Sequence, residues 1–168
     1  MLIASKYEEI YAPEIRDFVY ITDKSFSRDD ISHMEYRILK KLKFDILTVS
    51  CYRFLEHLIL MSGGNKKLFF LSQYILELSI VEYQMIKYIP SLRASSAVYL
   101  GRKILKLQPG WPKNLENTTE YTEISLRVCV KDLCSLIDIS QTSSLKACKN
   151  KFCLPKYMEV TKIPIFNN

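Results

Sequence analysis

Apolar residues along this chain recur three and four positions apart rather than alternating. That spacing gathers them on one face of a helix, so the pattern predicts an all-α protein. The opening stretch "MLIASKYEEIYAPE" carries Leu2, Ile3 and Ile10 in this way and predicts a helix over about 1–10. It must end before Pro13, because the residue preceding a proline is pushed out of the helical region. "PEIRDFVYIT" predicts a second, short helix, with Pro13 at a tolerated first-turn position. Ser27 has the form of an N-cap, and Asp29 and Asp30 follow where the helix dipole favours acids. The third helix, "RDDISHMEYRILKKLKF", bears an apolar stripe of Ile31, Met34, Ile38, Leu39 and Leu42. Lys40, Lys41 and Lys43 near its end suit the dipole.

Further on, "DILTVS" is a short linker, and the pattern predicts helices over about 51–61 and 66–80, parted by "SGGN". "EYQMIKYI" is a shorter piece. Pro90 opens a strong helix, "SLRASSAVYLGRKILKL", whose Ala94, Ser95, Ser96 and Ala97 let a neighbour approach closely, as a central buried helix requires. "QPGWP" breaks it. "KNLENTT" predicts a short helix, Thr122 caps "EISLRVCVKDLCSLI", and a weaker helical stretch covers "SSLKACKNKF". "PIFNN" is expected to end the chain loosely. The order of elements around "APEIRDF" and "DIS" resembles that around "WPKNLEN" and "EIS", which points to an internal repeat whose first copy begins partway through.

Two charges sit oddly in this pattern. Lys6 falls within the apolar stripe of the first helix, three residues after Ile3 and four before Ile10. Glu35, of opposite sign, lies four after Ile31 and four before Leu39. One reading is structural: the lysine stem lies along the core, its amine reaches water, and Glu35 pairs with it at the rim. The other is that both groups await a partner.

Composition narrows the classes. The 168 residues allow one ordinary domain or two small ones, and 48% hydrophobic content allows a real core. No stretch approaches the roughly 18 uncharged apolar residues of a membrane span. Lys6, Glu8 and Glu9 interrupt the first apolar run, so neither a signal nor a transit peptide is expected at the start. Five cysteines at 51, 129, 134, 148 and 153 form no C-x-x-C, and His33 and His57 are far from them, so reduced thiols and no metal site are expected. A net charge of +6 permits an acidic partner or nucleic acid without requiring either. Lys146, Lys149, Lys151, Lys156 and Lys162, facing only Glu159, read as a solvated tail. No phosphate loop, nucleophile elbow or H-E-x-x-H occurs, and "SGGN" lacks the Lys-Ser/Thr of a P-loop. Cys51 and His57 read as a structural thiol and an exposed imidazole, and Asp29 and Asp30 as helix-start acids. No cofactor, small-molecule ligand or enzymatic activity is expected.

The block "IASKYEEIYAPEIRDFVYITDKSFSRDDISHMEYRILKKLKFDI" strongly resembles the second half of the first cyclin box of A- and B-type mitotic cyclins. It combines K-[FY]-E-E-I-Y-x-P-E with "YITD" and "MEYRILKKLKFD". The resemblance continues more weakly through "FLEHL", "LSQYILELSIVEY", "YIPSLRASSAVYLGRKIL" and "WPKNLENTTEYTEISL", and "KACKNKF" through "KIP" is similar to the end of B-type cyclins.

The resemblance implies a cyclin fold: the last three helices of a first box over 1–46, a five-helix second box over 47–140, and a C-terminal extension over 141–168. It also implies that the first two helices of box one, with the family's substrate-docking patch, and the destruction box lie outside this sequence. "RKIL" at 102–105 has R-x-x-L letters but is expected in the core. The implied function is that of a regulatory subunit that binds and activates a cyclin-dependent kinase at G2/M, in nucleus and cytoplasm. In the family, the lysine and glutamate at Lys6 and Glu35 hydrogen-bond to backbone at the start of the kinase's PSTAIRE-type helix. The positions matching the surrounding apolar pocket are Ile3, Tyr7, Phe44 and Ile46, where Tyr7 adds a hydroxyl to a place often held by phenylalanine. Glu8 and Glu9 match an acidic pair near the kinase's activation segment, and also read as solvated helix acids. Two alternatives stand beside this: a truncated or inactive cyclin fragment with uncovered apolar faces on 1–10 and 28–43, and a cyclin-fold transcription factor that binds DNA. The "KYEEIYAPE" block speaks against the second, so nucleic acid is not the expected partner.

Overall fold

In the computed structural model, which describes residues 1–47 and 49–164, every regular element is helical. The chain divides into two units, Met1–Thr48 and Val49–Asn168. The first holds α1 (Leu2–Glu8), α2 (Ile15–Ile21) and α3 (Arg28–Lys41). The second holds α4 (Cys51–Met61), α5 (Lys66–Ile80), α6 (Pro90–Ile104), α7 (Lys113–Thr119), α8 (Glu123–Thr142) and α9 (Ala147–Phe152). Short 3-10 turns cover Tyr83–Lys87, Pro155–Tyr157 and Val160–Lys162.

α1 is shorter than its apolar period. The backbone turns extended at Glu9, and Ile10 lies beyond the helix, 91% exposed. The Glu9 N–H makes the last bond, to Ser5 O, and the extended Glu9 backbone (φ −100°, ψ 137°) carries the chain off the helix path before Ile10. Ile10 therefore leaves the face it shares in sequence with Leu2 and Ile3. Within "EYQMIKYI" the shorter piece is a 3-10 turn over Tyr83–Lys87, and α8 runs to Thr142, five residues past the predicted "SLI".

Helix ends follow local chemistry. α2, α3, α4 and α6 all close with paired bonds of one kind, such as Lys43 N–H to Lys40 O (3.1 Å) and Phe44 N–H to Leu39 O (2.8 Å) after α3. This closure puts the residue after the cap in the left-handed region, where glycine is at ease. Gly63 fills it after α4; Asp23, Lys43 and Lys106 fill it elsewhere and bear the steric cost of a side chain there.

α6 is the axis of the second unit. It packs against α4, α5 and α8, and every residue from Ala94 to Arg102 is buried. Its small residues permit this: a Cβ placed on Gly101 would stand 2.7 Å from Ser72 Oγ of α5. Arg102 is inside too, its guanidinium donating twice to Pro109 O (3.0 and 3.3 Å), so the R-x-x-L letters belong to the core. Trp111 Nε1 donates to Tyr121 O (2.8 Å) and ties the loop beyond α6 to the entry into α8.

The expected solvated tail is packed. Phe152 and Val160 are fully buried, and Phe152 rests against Tyr74 (ring centroids 5.6 Å apart) and Tyr157 (4.9 Å). Lys151 reaches back 74 positions to bind both oxygens of Glu77 (2.6 and 2.9 Å). Lys146 donates to Ser140 O and Gln141 O at the end of α8, the place a cation suits a helix. The apolar residues between the lysines decide this segment, because the ammonium groups can reach water or a carboxylate while the rings stay inside. Residues 165–168 of "PIFNN" lie outside the described residues.

Candidate functional site

The first unit positions its charged groups by capping. Ser27 Oγ accepts from Asp30 N–H (3.2 Å), and Asp30 Oδ2 accepts from Ser27 N–H (2.9 Å) and Ser27 Oγ (2.6 Å), a reciprocal box that starts α3. These bonds from Ser27 hold the Asp30 carboxyl below its ordinary range. α2 starts on a similar box between Glu14 and Asp17 and packs on α3. With the start of α3 set, its 3.6-residue period places Glu35 on the side that meets α1.

There Lys6 Nζ donates to both Glu35 oxygens, at 2.9 and 3.1 Å. The Glu35 side chain is 19% exposed and that of Lys6 49%. Beside the pair is an open apolar groove of about 730 Å³, lined by Leu2, Ile3, Phe18, Phe26, Ile31 and Met34, with Glu35 also in its wall. The two charges thus stand at the edge of an apolar surface. An ammonium has three donors and a carboxylate about four acceptor sites, so each keeps capacity for a further partner's backbone.

The structure brings Lys6, Glu35 and Ile3 together at this edge. Tyr7 is exposed, Phe44 is 62% exposed just past α3, and Ile46 is half-buried; none of the three lines the groove. Glu8 is the last residue of α1 and Glu9 its cap; both are exposed, and neither forms an ion pair among the described residues. Phe18 and Phe26 escaped the sequence reading. They come from α2 and the connector behind it, and no periodicity links them to Leu2 or Ile31. α3 has no buried residue, and Met34, Ile38 and Leu42 are exposed along one face.

Cys51 and Cys129 are buried, and all five cysteines are free. Burial pushes the Cys51, Cys129, Cys134 and Cys148 thiols up, away from the thiolate that nucleophilic or metal chemistry requires. Among the described residues no three His, Cys, Asp or Glu converge as metal ligands, and no helix is long and apolar enough to cross a membrane.

Comparison with known proteins adds an independent line. The family model "Cyclin, N-terminal domain" matches residues 1–47, and "Cyclin, C-terminal domain" matches 49–165. The chain is 36% identical over 166 residues to a G2/mitotic-specific cyclin-B of Dictyostelium discoideum, covering 98% of this chain and 38% of that protein. It is 39% identical over 163 residues to a G2/mitotic-specific cyclin-B of Spisula solidissima, with 97% and 38% covered. A Cyclin-A1-1 of Oryza sativa subsp. japonica matches at 38% identity over 170 residues, with 98% and 34% covered. The chain spans less than half the length of the curated relatives it matches.

Proposed function

The chain belongs to the cyclin family, of the mitotic A/B type, and on that premise we propose that it is a non-catalytic regulatory subunit of a cyclin-dependent kinase acting at G2/M. The observation that carries the reading is the Lys6–Glu35 pair at the rim of an apolar groove. Docking of the kinase's PSTAIRE-type helix turns Lys6 and Glu35 toward backbone groups at its start. Ile3, Tyr7, Phe44 and Ile46 receive an apolar side chain of that helix, and Glu8 and Glu9 lie toward the activation segment. Charge-assisted bonds that become buried on docking are stronger than neutral ones. The contact favours the kinase conformation in which its Lys–Glu pair and activation segment are in place, so the ATP, the magnesium ions and the phosphoryl transfer belong to the kinase. The protein works in nucleus and cytoplasm.

The test is histone phosphorylation by a purified cyclin-dependent kinase with this chain, with its Lys6→Glu variant, and alone. Stimulation by the parent that is lost in the variant is the expected result. Equal stimulation by both removes the site assignment; binding without stimulation removes activation; no binding removes the kinase as partner.

A further inference from the structure

Four aromatic rings run edge to face across the surface of the second unit. Tyr52 of α4 meets Phe69 of α5 (centroids 6.1 Å apart), Phe69 meets Phe70 (5.5 Å), and Phe70 meets Tyr157 (5.4 Å). None of the four is buried. The charge left outside ion pairs around them is basic. Lys156 Nζ stands 4.9 Å from the centre of the Tyr157 ring. Lys66 and Lys67 lie one turn before Phe70 on α5, on the side of that ring by helical spacing, and all three lysines are exposed.

Nearby acids are already engaged. Glu77 binds Lys151 at 2.6 Å, Glu56 binds Arg53 at 3.0 Å, and Glu159 binds Lys162 at 2.7 Å. Lys66, Lys67 and Lys156 have no carboxylate partner among the described residues. The chain's net +6 also falls on this side of the molecule's sequence, because acids and bases nearly balance over the first 48 residues.

We propose that this face docks an acidic peptide segment of a partner protein, with carboxylates flanking an apolar or aromatic side chain. The partly exposed rings offer apolar area for that side chain, and the three lysines complement the carboxylates and steer encounter. Base stacking fits less well: the rings turn their edges to one another, and Lys156 stands over Tyr157, leaving no open row of ring faces. The surface lies wholly within the second unit and does not depend on kinase binding.

The experiment is fluorescence anisotropy of the purified full chain, without kinase, using a fluorescein-labelled peptide of glutamates around one leucine and one phenylalanine. The variant Lys66→Glu/Lys67→Glu/Lys156→Glu is set against a charge-matched control, Lys106→Glu/Lys113→Glu/Lys131→Glu. The first should weaken binding by more than about tenfold and the control by less than about twofold. Serine in place of the peptide's leucine and phenylalanine should also weaken it. Thermal melts check folding, and Gln replaces Glu at the same three lysines if the melt falls. The proposal is overturned by absence of binding, by equal loss in both variants, by a serine peptide that binds as well, or by a single-stranded oligonucleotide that binds more tightly and is lost with the same lysines.

Discussion

Lys6 Nζ bonds both carboxylate oxygens of Glu35, 29 positions away in sequence, yet about half of the lysine side chain remains exposed. Such a pair contributes little to folding, about 1 kcal/mol or less, because water screens it and two side chains are held in one geometry. The same two groups buried against a partner's backbone are worth more: losing one there costs on the order of 2–5 kcal/mol. Lys6→Ala should therefore lower unfolding free energy by no more than about 1 kcal/mol in urea titration. In calorimetric titration with the kinase it should weaken binding by tenfold or more, about 1.4 kcal/mol. A loss confined to folding would make the pair a structural rim contact and nothing else.

What could be read from sequence here was local, or carried by a long motif. Ser27 reads as an N-cap and Asp30 as a first-turn acid from spacing alone, and the structure joins the two in a reciprocal box. Lys6 and Glu35 each stood out from an apolar stripe, and family resemblance over some forty contiguous residues joined them. The groove beside them was not legible, because Phe18 and Phe26 reach it from separate elements with no shared period. The packing of Phe152 was hidden too: "ACKNKF" reads as basic and solvated until Tyr74 and Tyr157 are seen to enclose its ring. The end of α1 was missed because apolar period says where side chains point, not where the hydrogen-bond ladder stops.

Phe152 provides a direct test of whether the C-terminal segment belongs to the core. It is fully buried between two tyrosine rings, so Phe152→Ala should destabilise the protein by about 3–5 kcal/mol. Phe44→Ala, at an exposed position, should change stability by less than about 1 kcal/mol. Urea midpoints for the two variants give the comparison. Similar small effects from both would mean that residues 147–164 detach without disturbing the core.

Gly101 and Ser72 form a coupled pair at the closest approach of α5 and α6. A methyl group on Gly101 would meet Ser72 Oγ at 2.7 Å and Leu68 Cδ1 at 3.1 Å. Gly101→Ala alone should cost about 1–3 kcal/mol through overpacking. Ser72 Oγ is buried without a hydrogen-bond partner among the described residues, so Ser72→Ala removes a desolvated hydroxyl at little cost and opens the space. The double variant should then be more stable than Gly101→Ala, helped by the better helix propensity of alanine, worth about 1 kcal/mol over glycine. Additive effects in thermal unfolding would show that the two positions do not compete for volume.

Acid should weaken the second unit through Asp132 and Glu123. The Lys87 ammonium, 2.7 Å away, and then the Tyr88 hydroxyl hold Asp132 below the ordinary carboxylate range. The Tyr99 hydroxyl, and then the Lys103 ammonium, do the same for Glu123. A carboxyl whose folded pKa is depressed binds fewer protons folded than unfolded in the interval between the two values. Its contribution is complete above the unfolded pKa, near 4, and disappears as pH falls through the depressed folded value. Both side chains are partly exposed, so each effect is small and screened by salt. Urea midpoints measured from neutral pH down to about pH 3 should fall for the parent, and less steeply for Asp132→Asn at low salt. Parallel curves would mean that Asp132 titrates alike in the folded and unfolded chain, and that the acid limb of stability arises elsewhere.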